Sequence, residues 1–191
     1  MRGHDHAVPV TADLQPVLRG ELLELRPLRP DDFEPLYAVA SDPLIWEQHP
    51  VRDRHLVEVF RKFFRTGLES GGGLVALDRR DGAIIGSSRY HAHDPIRREV
   101  EIGWTFLARQ YWGGRYNGEM KRLMLEHAFG FVDRVIFVIG PQNFRSRRAV
   151  EKIGATLAGS RVDESGRESV VYKLERGEYL ERPLQPSAGH D

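Results

Sequence analysis

One stretch limits the possible folds more than any other: Glu99 to Gly130, which reads VEIGWTFL after its first residue, then ARQYWGGRYNG, then EMKRLMLEHAFG. Its first piece, Val100 to Leu107, is β-branched and aromatic and too short for a helix, which predicts a buried strand. A glycine-rich turn follows. From Asn117 the period becomes helical, with Met120, Leu123, Met124, Ala128 and Phe131 on one stripe and Lys121, Arg122 and Glu126 off it. Strand, glycine loop and helix make an anion site, because the unpaired backbone N–H groups of a helix start point at whatever the loop cradles.

Three phosphate loops share this outline, and spacing separates them. A P-loop ends in Gly-Lys-Ser/Thr, whereas Gly113, Gly114 and Gly118 lead into Glu119 and Met120. A dinucleotide fingerprint needs G-x-G-x-x-G and an acidic residue closing the next strand. Here the glycines run G-G-x-x-x-G, and the next strand, Arg134 to Gly140, closes on Gly-Pro.

The stretch resembles the coenzyme loop of the GNAT superfamily of N-acetyltransferases, Q/R-x-x-G-x-G/A after the fourth strand. Gln110, Gly113 and the preceding Tyr111-Trp112 fit it as it occurs in the RimJ/RimL-like branch, while Arg115 stands where the family has its second glycine or alanine. Either Arg115 reshapes the loop or its guanidinium reaches a phosphate oxygen. Downstream, Asn143, Ser146, Glu151, Lys152 and Gly154 match the same branch's N-x-x-S-x-x-x-x-E-K-x-G segment, and the two matches together span Glu99 to Gly159, about a third of the chain. The resemblance implies an α/β GNAT fold: a mixed central sheet of about seven strands, the fourth and fifth splayed apart, with about four helices. It also implies acetyl-coenzyme A as co-substrate. The pantetheine arm would bond to the open edge at Trp104, Thr105, Phe106 and Leu107, and the phosphates would meet Gln110, Gly113, Gly114, Arg115, Tyr116, Asn117 and Gly118, with Asn143 and Arg148 as further contacts.

Composition agrees with a globular domain. In 191 residues, 40% are apolar and 28 basic residues balance 28 acidic ones, so nucleic acid is not expected as a partner. No cysteine is present, which excludes disulfides, thiolate nucleophiles and zinc–cysteine sites and makes a reducing cytoplasm the simplest location. No run of eighteen apolar residues suggests a membrane span, and Met1 to Pro16 lacks a signal-peptide core. The expected organisation is a disordered tail at 1–16, a single acetyltransferase domain at 17–180 and a polar tail at 181–191. His4 and His6 in the first tail could bind a metal adventitiously or be simply solvated. A homodimer is the default assembly.

In chain order, Leu18 to Leu28 suggests the first strand, and Asp31 or Asp32 opens a helix with Phe33, Leu36, Tyr37 and Ala40 on its apolar face. The loop Ser41 to Arg54 carries an exposed-looking Trp46. His55 to Leu68 repeats as a second helix, and Leu74–Leu77 and Ala83–His91 form a hairpin at Asp81-Gly82. After the motif region, Thr156–Val162 and Ser169–Leu174 flank a Ser165-Gly166 turn. In the family the segment between the first two helices walls the acceptor pocket, which makes Trp46, Glu47 and His49 substrate-side candidates. A loop tryptophan equally serves to pin the loop to the core.

Acetyl transfer to an amine requires a deprotonated amine, a polarised thioester carbonyl and a protonated leaving thiolate. Alternation puts Glu99, Glu101 and Gly103 on one strand face and Val100, Ile102 and Trp104 on the other. Several GNAT enzymes place a general base on this strand, so Glu101 is the candidate, with a solvated face or a pairing with Arg97 or Arg98 as the alternative. An α-amine is about 14% neutral at pH 7 and a lysine about 0.04%, so an N-terminal acceptor needs little help from a base. Asn143 reads as a helix N-cap and, by the resemblance, as a coenzyme contact; Ser146 would then lie beside the sulfur as the acid. His91, with His93, could face the acceptor. His91, His93 and Asp94 fall short of a specified metal site, and no metal is expected. The expected acceptor is a small amine or a protein N-terminal α-amine. A catalytically silent coenzyme-binding module, favoured by Arg115, is the alternative.

Overall fold

The computed structural model describes residues 11–181. Their order is β1 (Leu18–Arg19), β2 (Leu23–Pro27), α1 (Phe33–Ala40), α2 (Val57–Glu69), β3 (Gly73–Asp78), β4 (Ile84–Asp94), β5 (Glu99–Leu107), α3 (Arg115–Ala128), β6 (Arg134–Ile139), α4 (Phe144–Lys152), β7 (Thr156–Val162), β8 (Glu168–Glu175) and α5 (Arg176–Leu180). The described residues thus hold one eight-stranded sheet, ordered β1-β2-β3-β4-β5-β6-β8-β7, and five α-helices. It is antiparallel except where β5 meets β6. This is the expected mixed α/β fold.

Alternation along the strands creates two apolar layers. On β3, Leu74 and Ala76 join a cluster with Met120, Met124 and Leu125 of α3, while Val75 between them joins Leu36, Phe60, Phe63 and Phe64 of α1 and α2. Helices therefore cover both faces of the sheet, as a strand buried on both sides requires. Each fully buried large side chain contributes about 1.5–3 kcal/mol.

Two local features depart from the sequence expectation. The expected first strand is broken at Gly20–Glu21, because Glu119 of α3 reaches across to accept backbone N–H bonds from Glu21, Leu22 and Leu23 at 2.8, 2.8 and 2.9 Å. A Cβ on Gly20 would collide with the Glu119 carboxylate, so a side chain there would displace the group that holds the bend. At the start of α1, Asp32 does not cap the helix. Its carboxylate accepts both Arg26 guanidinium nitrogens (2.8 and 2.7 Å) and the Arg29 N–H (2.7 Å). Ala12 and Leu14, expected in the N-terminal tail, pack against the larger core cluster. His4, His6 and the C-terminal tail beyond Glu181 lie outside the described residues.

The feature that positions the site is the brevity of the β5–β6 pairing. Only Glu99–Arg134, Val100–Val135 and Glu101–Ile136 are matched. Beyond Glu101 the strands diverge, while β6 stays paired to β8 along its whole length. A wedge opens in the middle of the sheet.

Candidate active site

The wedge is a cavity of about 520 Å³. Ile102 to Leu107 of β5 form one wall and Phe137 to Gly140 the other, and residues of α3 and α4 together with Ile45, Trp46, Gln48, His49 and Arg54 complete the lining. Gly113 adopts φ +78°, a conformation that favours glycine, and so turns the chain from β5 into α3. The N-cap residue Gly114 offers no side chain to the first-turn amides, and a Cβ at Gly114 or Gly118 would meet nothing within 4 Å. Both glycines face the cavity. The helix start therefore presents bare N–H groups and a positive dipole end to open space, which fits an anionic ligand.

A bulge sets the wall of β5. Across from it, Arg89 pairs with Gly103 and Ser87 with Phe106, so β5 carries one residue more than β4, and Trp104 takes φ +51°. The extra residue turns Trp104 onto the face of Glu101, not that of Val100 and Ile102 as simple alternation expects. There its ring meets His91 edge-on at 4.9 Å and lies under the Arg89 guanidinium at 4.7 Å. Thr105 takes the opposite face, where its hydroxyl pairs with Ser88 (2.8 Å) and accepts from Lys121 Nζ (2.8 Å).

Lys121 was expected on a solvated face, yet it lines the cavity and is 5% exposed. It lies three, four and seven residues before Met124, Leu125 and Ala128, all buried, and so shares their face. That spacing was the available signal; its polar character concealed it. The ammonium also sits 5.5 Å from the Phe137 ring centre, and burial pushes its pKa down to about 7.

Glu101 is 3% exposed, and it pairs with Arg161 of β7 at 3.1 Å rather than with Arg97 or Arg98. Burial raises its pKa, with Arg161, His91 and Arg89 opposing the rise. It does not itself line the cavity, but Gly103, two residues on, does; Glu101 Oε1 would stand 3.4 Å from a Cβ on Gly103.

At α4, Asn143 acts as the expected N-cap, accepting the Ser146 N–H at 3.2 Å. Asn143, Ser146 and Arg148 all line the cavity. Arg145 joins three segments that the sequence gives no reason to connect. Its backbone N–H donates to Gln48 (3.0 Å), its guanidinium donates to Ile45 O (2.8 Å), and it stacks 3.9 Å from the Trp112 ring centre. Trp46, which looked exposed in sequence, is 2% exposed; its indole donates to Ala40 O at 2.7 Å and its ring packs 5.0 Å from Phe106. It pins the loop and lines the cavity at once.

Other predicted residues stand apart from the cavity. Gln110 lines a separate shallow depression beside Asp42 and Arg109. Arg115 is exposed, its guanidinium 3.9 Å from the Glu21 carboxylate. Tyr116 packs on Tyr111 and reaches towards Asp78 at 3.4 Å. Glu47 is exposed, and His91 touches the wall only through Trp104. Of the coenzyme-side residues, Trp104 to Leu107, Gly113, Gly114, Asn117, Gly118, Asn143 and Arg148 converge on one cavity, as do Trp46 and His49 of the acceptor side. Among the described residues no group of three or more His, Asp and Glu could hold a metal, and no helix is long and apolar enough to cross a membrane.

Comparison with known proteins follows this geometry. Residues 23–156 match the family described as "Acetyltransferase (GNAT) domain". No curated protein matches the sequence. Among solved structures, the chain is similar to a GCN5-related N-acetyltransferase from Brucella melitensis (18% identity, TM-score 0.78, covering 93% of this chain and 86% of that one). It is similar to a GNAT-family acetyltransferase from Bacillus anthracis (20%, TM-score 0.70, 85% and 99%). It is also similar to RimJ from Mycobacterium smegmatis in complex with CoA-disulfide (20%, TM-score 0.61, 82% and 83%).

Proposed function

Because the chain belongs to the acetyltransferase (GNAT) family, we propose that it is a cytoplasmic enzyme of the RimJ/RimL-like branch that moves an acetyl group from acetyl-coenzyme A to a primary amine within a ternary complex. The observation that carries this reading is the single cavity running from the bare start of α3, along the unpaired edge of β5, to the aromatic wall at Trp46. The RimJ neighbour, whose structure contains a coenzyme A disulfide, supports the ligand assignment.

The fit is chemical as well as spatial. The N–H groups at the start of α3, opened by Gly114 and Gly118, suit a pyrophosphate, and Arg148 suits a further phosphate. Trp104 to Leu107, freed from β6, offer main-chain groups that would add the pantetheine arm as an extra strand. When bound, the coenzyme supplies an activated acyl carbon. Glu101, its pKa raised by burial, takes the proton of the attacking amine through water, or orients that amine when it is already neutral. Ser146 returns a proton to the leaving sulfur. The chain contains no cysteine to carry the acyl group, so the amine attacks directly: the nitrogen–carbon bond forms as the carbon–sulfur bond breaks. Small amines and protein N-termini are both acceptors of the required chemistry. No observation favours the silent module.

Calorimetric titration with acetyl-coenzyme A, then free-thiol release over a panel of amines, tests the reading. Glu101→Gln and Ser146→Ala should retain coenzyme binding within about threefold while losing about 10²–10⁴ in turnover. Thiol release unaffected by either change refutes the assigned roles, and absence of coenzyme binding refutes the function.

A further inference from the structure

The cavity is cationic to an extent that acetyl transfer alone does not require. Arg54, Lys121, Arg145, Arg148 and Lys152 line the cavity and no carboxylate does. Lys121, Arg145, Arg148 and Lys152 lie on α3 and α4, where coenzyme phosphates would sit. Arg54 does not. It lies in the segment that leads into α2, its guanidinium 5.4 Å from the Trp46 ring centre and 4.7 Å from that of Phe63. Behind it, Arg89 is 5% exposed and is held 5.7 Å from the same Phe63 ring and 4.7 Å from Trp104. A Cβ on Gly67 of α2 would lie 3.0 Å from Arg89 Nη2, so a glycine inside that helix makes room for the buried cation.

Neither guanidinium has an acid to neutralise it. Among the described residues no carboxylate lies within ion-pairing distance of Arg54 or Arg89; Asp53 and Glu101 act on them only from farther away, and Glu101 is committed to Arg161. Arg89 donates one long hydrogen bond, to Phe63 O at 3.4 Å. His49 brings no compensation. Its Nδ1 accepts the Val51 N–H at 2.9 Å, its Nε2 lies 3.1 Å from Arg54 Nη1, and burial beside that cation lowers its pKa to about 3, so the ring against Arg54 is neutral. Arg167, from the β7–β8 turn, adds positive charge felt by both. Close-set cations without counter-ions are costly to bury, and such an arrangement persists where a ligand brings the anion.

We propose that the acceptor is an amine that itself bears a carboxylate, as an amino acid does, and that Arg54 receives that carboxylate while Trp46 and His49 fix the guanidinium. The planar fork of arginine matches a carboxylate's two oxygens. Arg54 lies inside the cavity, so the anion must belong to the acceptor molecule and not to a distant surface of a larger partner. The inference rests on the acetyltransferase reading above and narrows its acceptor.

The test uses α-, β- and γ-amino acids, each paired with its carboxamide, in thiol-release assays on the full chain. The carboxylate member of the preferred pair should exceed its carboxamide in kcat/KM by about tenfold to a hundredfold, the worth of a charged hydrogen bond. That ratio should fall towards one in Arg54→Gln and lie between in Arg54→Lys, with acetyl-coenzyme A affinity unchanged in both. Equal use of both members, preference only for phosphate-bearing amines, a ratio that survives Arg54→Gln, or a loss of coenzyme affinity in that variant each overturns the proposal while leaving the transferase reading intact. If no acceptor turns over, binding of the N-acetylated amino acids and of their carboxamides to the protein with coenzyme A present decides it independently. Preferential binding of the carboxylates, lost in Arg54→Gln, upholds the proposal, and equal binding refutes it.

Discussion

Lys121 shows how a single side chain can set a pH dependence for the whole fold. An unfolded lysine holds its proton up to about pH 10.4, whereas the buried one gives it up near pH 7. Between those values the unfolded chain binds one more proton than the folded chain, so this group makes folding more favourable as pH rises, by about 1.4 kcal/mol per pH unit at most. Lys121→Met should be more stable than the parent at pH 7, by roughly 1–4 kcal/mol as for other buried charges replaced by apolar groups, with the advantage shrinking towards pH 9. Urea unfolding of both proteins at pH 7, 8 and 9 measures this. A difference that stays constant with pH would show that the amine is not neutral when buried. Glu101 has the opposite sign. Its raised pKa means that the folded state holds a proton the unfolded state has lost, so its contribution weakens as pH climbs through that window.

At the scale of elements, the clearest structural dependence is that of the β1–β2 bend on α3. One carboxylate, that of Glu119, accepts three backbone N–H groups, and removing it leaves donors at the bend with no partner. Glu119→Ala should lower stability by about 2–3 kcal/mol, as expected for charge-assisted bonds, with coenzyme affinity nearly unchanged; denaturant unfolding and calorimetric titration read the two separately. The same interaction explains what could and could not be read from the sequence. The β3–β4 hairpin was legible because period-two runs flank Asp81-Gly82, and α4 was legible because Asn143 caps it locally. The broken first strand was not, because its cause is Glu119, ninety-eight positions from Glu21. The placement of Trp104 was hidden for a like reason, since a bulge depends on the register of a neighbouring strand. The site divides the same way. The glycine loop and the Asn143–Ser146 segment announce themselves by spacing, whereas Arg54, Arg89, Lys121 and Arg145 matter through their surroundings, which only tertiary structure supplies.

For the whole molecule, the consequence lies in how few residue pairs join the two parts of its sheet. Five strands on one side and three on the other meet through three residue pairs of β5 and β6, and a ligand lying in the wedge would contact both sides. A ligand that binds only the folded chain stabilises it by about 2.7 kcal/mol at a hundred times its Kd. For a chain of this length that corresponds to a rise in Tm of about 5–10 °C, which thermal unfolding with and without acetyl-coenzyme A measures. An unchanged Tm at that concentration would mean that the coenzyme does not bind the folded chain selectively. The open stretch of β5 is also a strand edge kept inside the molecule. Outer edges are ordinarily protected from pairing with foreign chains by charge, proline or extreme shortness, and here β1, only two residues long, is protected in that last way. The inner edge could not be blunted so without losing room for a pantetheine arm, and a ligand bound there would occupy the same main-chain groups that a foreign strand would seek.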